Sequence, residues 1–88
     1  MNKNRRKELI EWVRKAEEWA SHGERLKSEL ENICSDEQDY FDNMPENLQG
    51  STRGMDAEEA IDAMNEAIKS MDNAIEAAEE AASCVDEI

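Results

Sequence analysis

The side chains in this sequence that could do chemistry are few: one histidine, His22, two cysteines, Cys34 and Cys84, and many carboxylates. A di-metal site in a helical bundle needs Glu-x-x-His pairs. Glu18 precedes His22 by four residues, and Trp19 occupies the place such a pair requires. With no second histidine and no Cys pair at zinc spacing, no metal or other cofactor is expected. No phosphate-binding loop, dinucleotide fingerprint or Ser/His/Asp set is present. Nothing would bury a carboxylate and bring its pKa into a working range, so an enzyme is not expected. Trp12 and Trp19, one heptad apart, offer two readings. They are core rings facing small residues of a partner helix, or an aromatic clamp for a flat ligand between molecules.

These residues lie on two long segments of heptad spacing. From Leu9 the apolar positions step by three and four: Leu9, Trp12, Ala16, Trp19, Gly23, Leu26, Leu30, Ile33. With Leu9 at a, the d positions are Trp12, Trp19, Leu26, Ile33 and Tyr40, and Val13, Ala20, Cys34 and Phe41 fall at e. The register persists to Met44, and the spacing predicts a helix over about residues 3–43. Gly23 in its middle weakens it by about 1 kcal/mol relative to alanine and points to a close backbone approach or a bend. Glu11–Lys15 and Glu24 with Arg25 and Lys27 are expected surface pairs.

The second segment repeats every seven residues as AIDAMNE, AIKSMDN, AIEAAEE and AASCVDE. Ile61, Ile68, Ile75 and Ala82 take a; Met64, Met71, Ala78 and Val85 take d; Ala60, Ala67, Ala74 and Ala81 take g. This predicts a second helix over about residues 52–87. Pro45 stops the first helix, and residues 44–51 form a corner. There Asn43 or Met44 caps a turn closed by Gly50, Leu48 folds back on Phe41 or Met44, and Ser51 caps the next helix.

The helices, ~60 Å and ~55 Å at 1.5 Å per residue, match in length. The fold class expected is all-α, a single antiparallel helical hairpin. Facing residues should total about 95–97, which sets Trp19 near Ala78, Trp12 near Ala82 and Val85, and Cys34 near residue 62, too far from Cys84 to bond. Reduced thiols are the expectation. Three apolar positions in seven on each helix exceed what one seam buries. Two hairpins are therefore expected to pair as a four-helix bundle, as a homodimer or higher homo-oligomer. The core or oligomer seam comprises Leu9, Trp12, Trp19, Leu26, Leu30, Ile33, Ile61, Met64, Ile68, Met71 and Ile75.

Charge divides the chain unevenly. Residues 1–27 carry eight Lys/Arg against five Glu, and residues 28–88 carry two against eighteen acids, within a net charge of −13. That balance disfavours nucleic acid and favours basic partners. No apolar run approaches the roughly 18 residues of a membrane span and no secretory pattern occurs, so no membrane partner and a cytoplasmic location are expected.

The corner YFDNMPENLQGSTRG, Tyr40 to Gly54, followed by AEEAIDAMNEAI, resembles a group of short acidic phage and prophage proteins. In that group an aromatic-Asx-Asn-Met-Pro-Glu-x-Leu-Gln-x-Ser-x-Arg-Gly stretch joins two helices. The resemblance covers roughly residues 29–80, and Thr52 stands where an acidic residue is more usual. It implies a helical hairpin of phage or mobile-element origin, in a bacterial cytoplasm, and no particular activity. Charge and resemblance together lead to the expectation of an accessory factor acting by protein–protein interaction. It would mimic phosphate charge to inhibit a basic nucleic-acid-processing or defence protein of host or phage. The candidate contact residues are Glu46, Asn47, Gln49, Arg53, Asp62, Glu66, Asp72 and Glu76. Two readings compete with it: a structural or assembly oligomer, and a nucleotide-signal sponge with Trp12 and Trp19 stacking the base between hairpins.

Overall fold

In the computed structural model, which describes residues 1–88, the chain is all-helical. It comprises α1 (Lys3–Asp42), a single-turn α2 (Glu46–Gln49) and α3 (Thr52–Asp86). Asn2 starts α1 by accepting a hydrogen bond from the Arg5 amide at 2.8 Å. α1 and α3 run antiparallel in a rod of 69 × 15 × 14 Å. Its radius of gyration is 19.9 Å, against about 12 Å for a compact chain of this length. No helix is long and apolar enough to cross a membrane.

The seam between the helices uses a different edge of α1 from the one the apolar spacing singles out. Val13, Ala20 and Cys34 at e, and Gly23 and Met44 at a, are the buried residues along it. The d row of Trp12, Trp19, Leu26, Ile33 and Tyr40 stays open to solvent. α1 is turned by about 50° about its axis from an a/d seam, given 3.6 residues per turn. The cause is side-chain size. Ala16, Ala20, Gly23 and Cys34 let the α3 isoleucines come close, whereas a d row with two tryptophans would hold the helices apart. The expected placement of Trp19 on Ala78 and Trp12 on Ala82 is corrected accordingly.

α3 packs through a and d, burying Ala57, Ile61, Ile75 and Ala82. Ile75, 2% exposed, is the most buried side chain, and it lies on Gly23. A Cβ added at Gly23 would sit 3.0 Å from Ile75 Cγ1 and 3.5 Å from Cδ1. Gly23 therefore marks a close approach. Facing pairs are Gly23–Ile75, Lys27–Asp72 and Cys34–Asn65, numbers that total 98 or 99 and exceed the sequence expectation. The chain reversal is centred at Gln49, because α2 carries the backbone onward over the end of the rod before α3 begins.

The corner is held by backbone and polar contacts. Pro45 itself is the N-cap of α2, with no side-chain cap, in place of Asn43 or Met44. Gly50 ends the turn at φ −85°, in the right-handed region, where a left-handed residue is expected. Leu48 stays exposed, and the Gln49 side-chain Nε2 instead donates to the Phe41 carbonyl at 3.1 Å. Ser51 caps α3, accepting from the Gly54 amide at 3.5 Å and donating to the Leu48 carbonyl. Gly54 is buried with no room for a side chain, since a Cβ there would collide with the Gln49 backbone.

Candidate protein interface

Two long faces of the rod differ in chemistry. On the first, the α1 d row lies beside the α3 g row. Tyr40 lines one shallow hollow with Arg53 and Ala57, while Gln38 and Phe41 line another with Glu58 and Asp62. The d edge of α1 and the g edge of α3 thus share one side, and the e edges share the other. With facing residues totalling 98 or 99, Trp19 lies near the level of Ala81, Leu26 of Ala74, Ile33 of Ala67 and Tyr40 of Ala60. Ala63, Ser70, Ala77 and Cys84 at c extend this small-residue surface. The row is 44% exposed at Trp12, 52% at Trp19, 44% at Leu26, 57% at Ile33 and 47% at Tyr40. At about 200 Å² per large side chain, that leaves on the order of 500 Å² uncovered. Isolated apolar side chains are ordinary on a surface; a row of five along one face, comparable in area to the largest patch of a typical monomer, is a candidate interaction surface.

The second face is acidic. Nine of the ten carboxylates of α3 occupy b, e or f, away from the alanines, and all ten are exposed. Only Asp72 meets a cation, the Lys27 ammonium at 2.6 Å. The other ion pairs lie within α1: Arg14 with Glu11 and Glu18, and Lys27 with Glu24 at 3.6 Å. Arg14, not Lys15, is thus the partner of Glu11. The hydrogen bond from Arg14 pulls the Glu11 carboxyl below its usual range, with the charges of Arg14 and Lys15 assisting against desolvation. The hydrogen bond to Asp72 raises the Lys27 pKa above its ordinary value, against some desolvation.

The candidate contact residues divide between these features. Glu46, Asn47 and Arg53 are exposed at the corner, and Asp62, Glu66 and Glu76 are exposed on the acidic edge of α3. Gln49 and Asp72 have structural work instead, holding Phe41 and Lys27. Of the seam residues, Ile61 and Ile75 are buried between the helices, while Leu9, Leu30, Met64, Ile68 and Met71 are half-buried there. Trp12, Trp19, Leu26 and Ile33 line the open face.

Little here suits a small ligand. An apolar hollow of about 200 Å³ opens at the terminal end, lined by Leu9, Ile10, Val13, Val85 and Ile88 among others. Ligand pockets are usually larger and mostly apolar, ~300–1,000 Å³, and the hollows of about 370–470 Å³ elsewhere on the rod are lined chiefly by polar and charged side chains. Trp12 and Trp19 of one chain are separated by about 10.5 Å of helical rise, too far for that pair alone to sandwich a base that needs about 3.5 Å on each side; a clamp would need rings from two chains. Cys34 is buried with its thiol 3.6 Å from Asn65 Oδ1, Cys84 is exposed, and both are free. No group of three or more His, Cys, Asp and Glu side chains is arranged around a metal position. No family model matches the chain, and no curated protein or solved structure does so either.

Proposed function

We propose that this protein works by protein–protein interaction, presenting the acidic edge of α3 to a basic protein and pairing with a second copy to form a four-helix bundle. The observation that carries the reading is the unneutralised carboxylate edge. Of ten exposed carboxylates on one 35-residue helix, nine have no cation within ion-pair distance, so their field extends into solvent. Carboxylates at fixed spacing on a stiff rod substitute for phosphates at low reorganisation cost, which favours a target that handles nucleic acid. The resemblance of the Tyr40–Gly54 corner to phage and prophage hairpin proteins supports a host or phage target in a bacterial cytoplasm.

Affinity capture tests this directly. Wild-type protein should retain a basic partner at low and moderate salt, and Asp62→Lys/Glu66→Lys/Glu76→Lys should lose it while keeping its helicity. Recovery of no basic partner by the wild type, or equal recovery by the charge-reversed variant, would sink the reading.

A further inference from the structure

We infer that the open apolar face is the seat of a second copy of this chain lying antiparallel to the first, with a two-fold axis passing beside Leu26. This rests on the pairing proposed above and specifies its face and alignment. Three independent observations lead to it.

The first is area. The chain exposes 6653 Å², whereas a compact 10.1 kDa monomer exposes about 5,300 Å². A standard interface covers about 800 Å² on each partner. The excess therefore accommodates one such interface. The uncovered side chains of the α1 d row, with the alanines beside them, supply its apolar centre.

The second is the symmetry of the d row. Trp12, Trp19, Leu26, Ile33 and Tyr40 are spaced evenly about Leu26. An antiparallel copy centred there sets Trp19 against Ile33 of the other copy, Trp12 against its Tyr40, and Leu26 against itself. The α3 alanines then approach the α3 helix of the other copy, while the rings between the two α1 helices set those axes at about 10 Å, the wide end of the ordinary range. A two-fold axis makes such a contact self-complementary and closed.

The third is charge, which chooses between the two alignments of stacked hairpins. The terminal half of each chain, residues 1–27 with 71–88, carries a net −3, and the corner half, residues 28–70, carries −10. Corners placed together would give one end of the dimer −20 and the other −6. Antiparallel stacking gives both ends −13 and sets the cationic stretch Lys3–Lys7 of one copy at the level of the acidic corner of the other. The negative charge is spread evenly over the two ends, so the antiparallel arrangement carries the smaller repulsion.

Disulfide trapping in a Cys84→Ser background distinguishes failure of the pairing from failure of the alignment. With α1 axes about 10 Å apart and Cα radii of about 2.3 Å, the two Leu26 Cα atoms approach to ~5 Å, within disulfide reach. At tens of micromolar the unsubstituted chain should have about twice the 10.1 kDa chain mass by light scattering. Leu26→Cys should oxidise to a covalent dimer, Trp19→Cys and Ile33→Cys alone should not, and those two mixed before oxidation should cross-link to each other. Leu26→Asp should raise the dimer Kd by about 100-fold through apposed like charges. Its helicity should persist, because Leu26 is already exposed in the single hairpin. Monomer mass for the unsubstituted protein would overturn the pairing. Dimer mass without the Leu26→Cys bond, or with self-linked Trp19→Cys, would leave the pairing and overturn the antiparallel alignment.

Discussion

The sharpest test of the seam is the Gly23–Ile75 pair, where two effects of known size oppose each other. Gly23→Ala in mid-helix should gain about 1 kcal/mol of helix propensity. The added Cβ, however, meets Ile75 Cγ1 at 3.0 Å, and Ile75 at 2% exposure has nowhere to retreat. Overpacking of this kind costs about 1–3 kcal/mol, so Gly23→Ala should be net destabilising by about 0–2 kcal/mol. Ile75→Ala alone should cost about 2–5 kcal/mol by leaving a cavity. Combined, the methyl introduced on α1 partly fills that cavity, and Gly23→Ala should become stabilising by about 1 kcal/mol in the Ile75→Ala background. The double-mutant cycle should therefore give a coupling of about 1–3 kcal/mol. The assay is urea unfolding followed by circular dichroism, at one fixed chain concentration so that self-association does not shift the midpoint. If Gly23→Ala stabilises by the full propensity term in both backgrounds, with no coupling, the helices do not meet at this point and the seam is wrongly placed.

Three further outcomes concern the corner, the cross-seam ion pair and salt. Among the corner glycines, Gly54→Ala should destabilise by about 2 kcal/mol or more, since its Cβ collides with backbone. Gly50→Ala should be neutral or stabilise by up to about 1 kcal/mol, since it meets nothing and φ is already −85°; thermal unfolding of the two variants checks this contrast. For Lys27, the raised folded pKa means that the Asp72 contact contributes fully below the ordinary value of 10.5 and fades as pH rises through the folded value. The unfolding midpoint should thus fall more steeply above that pH for wild type than for Lys27→Met, and parallel curves would refute it. Finally, raising ionic strength from 0.01 to 0.15 M shortens the screening length from about 30 to about 8 Å. The dimer of two −13 chains should tighten as a basic partner's complex weakens, a pair of opposite slopes measurable by sedimentation and by fluorescence titration.

The two long helices were legible because their period repeats without a slip from Leu9 to Met44 and again from Ala60 to Val85. The helices observed, Lys3–Asp42 and Thr52–Asp86, start and stop at Asn2, Pro45 and Ser51, residues whose types announce an end. Which edge of α1 meets α3 was not legible. Heptad spacing identifies a stripe three residues wide but not which two of its rows go to which neighbour. Side-chain size decides that, and the decisive residues, Gly23 and Ala20, carry little weight on any apolar scale. At the corner, Gln49 reads as an idle polar residue until the Phe41 carbonyl is seen beside it. Asp72 likewise looks like one acid among many until Lys27 reaches it across the seam.

The tied corner also sets the order in which the rod assembles. Joining Met44 to Gly54 closes a loop of about ten residues, whereas joining Val13 to Ala82 directly closes one about seven times longer, at ~1.7 kcal/mol more in chain entropy. The Gln49–Phe41 bond and the Ser51 cap fix that short loop first. Each turn of α1 then finds its place on α3 with little additional searching. On this entropy difference assembly should run from the closed end and opening the other way, beginning at the hollow among Leu9, Val13 and Val85. Backbone amides around Val13 and Ala82 should exchange with solvent before those around Phe41 and Ala57, a gradient along 69 Å that a uniformly cooperative rod would lack. The net-positive segment 1–27 sits at that end, so the part of the hairpin expected to open first is also its only net-positive one.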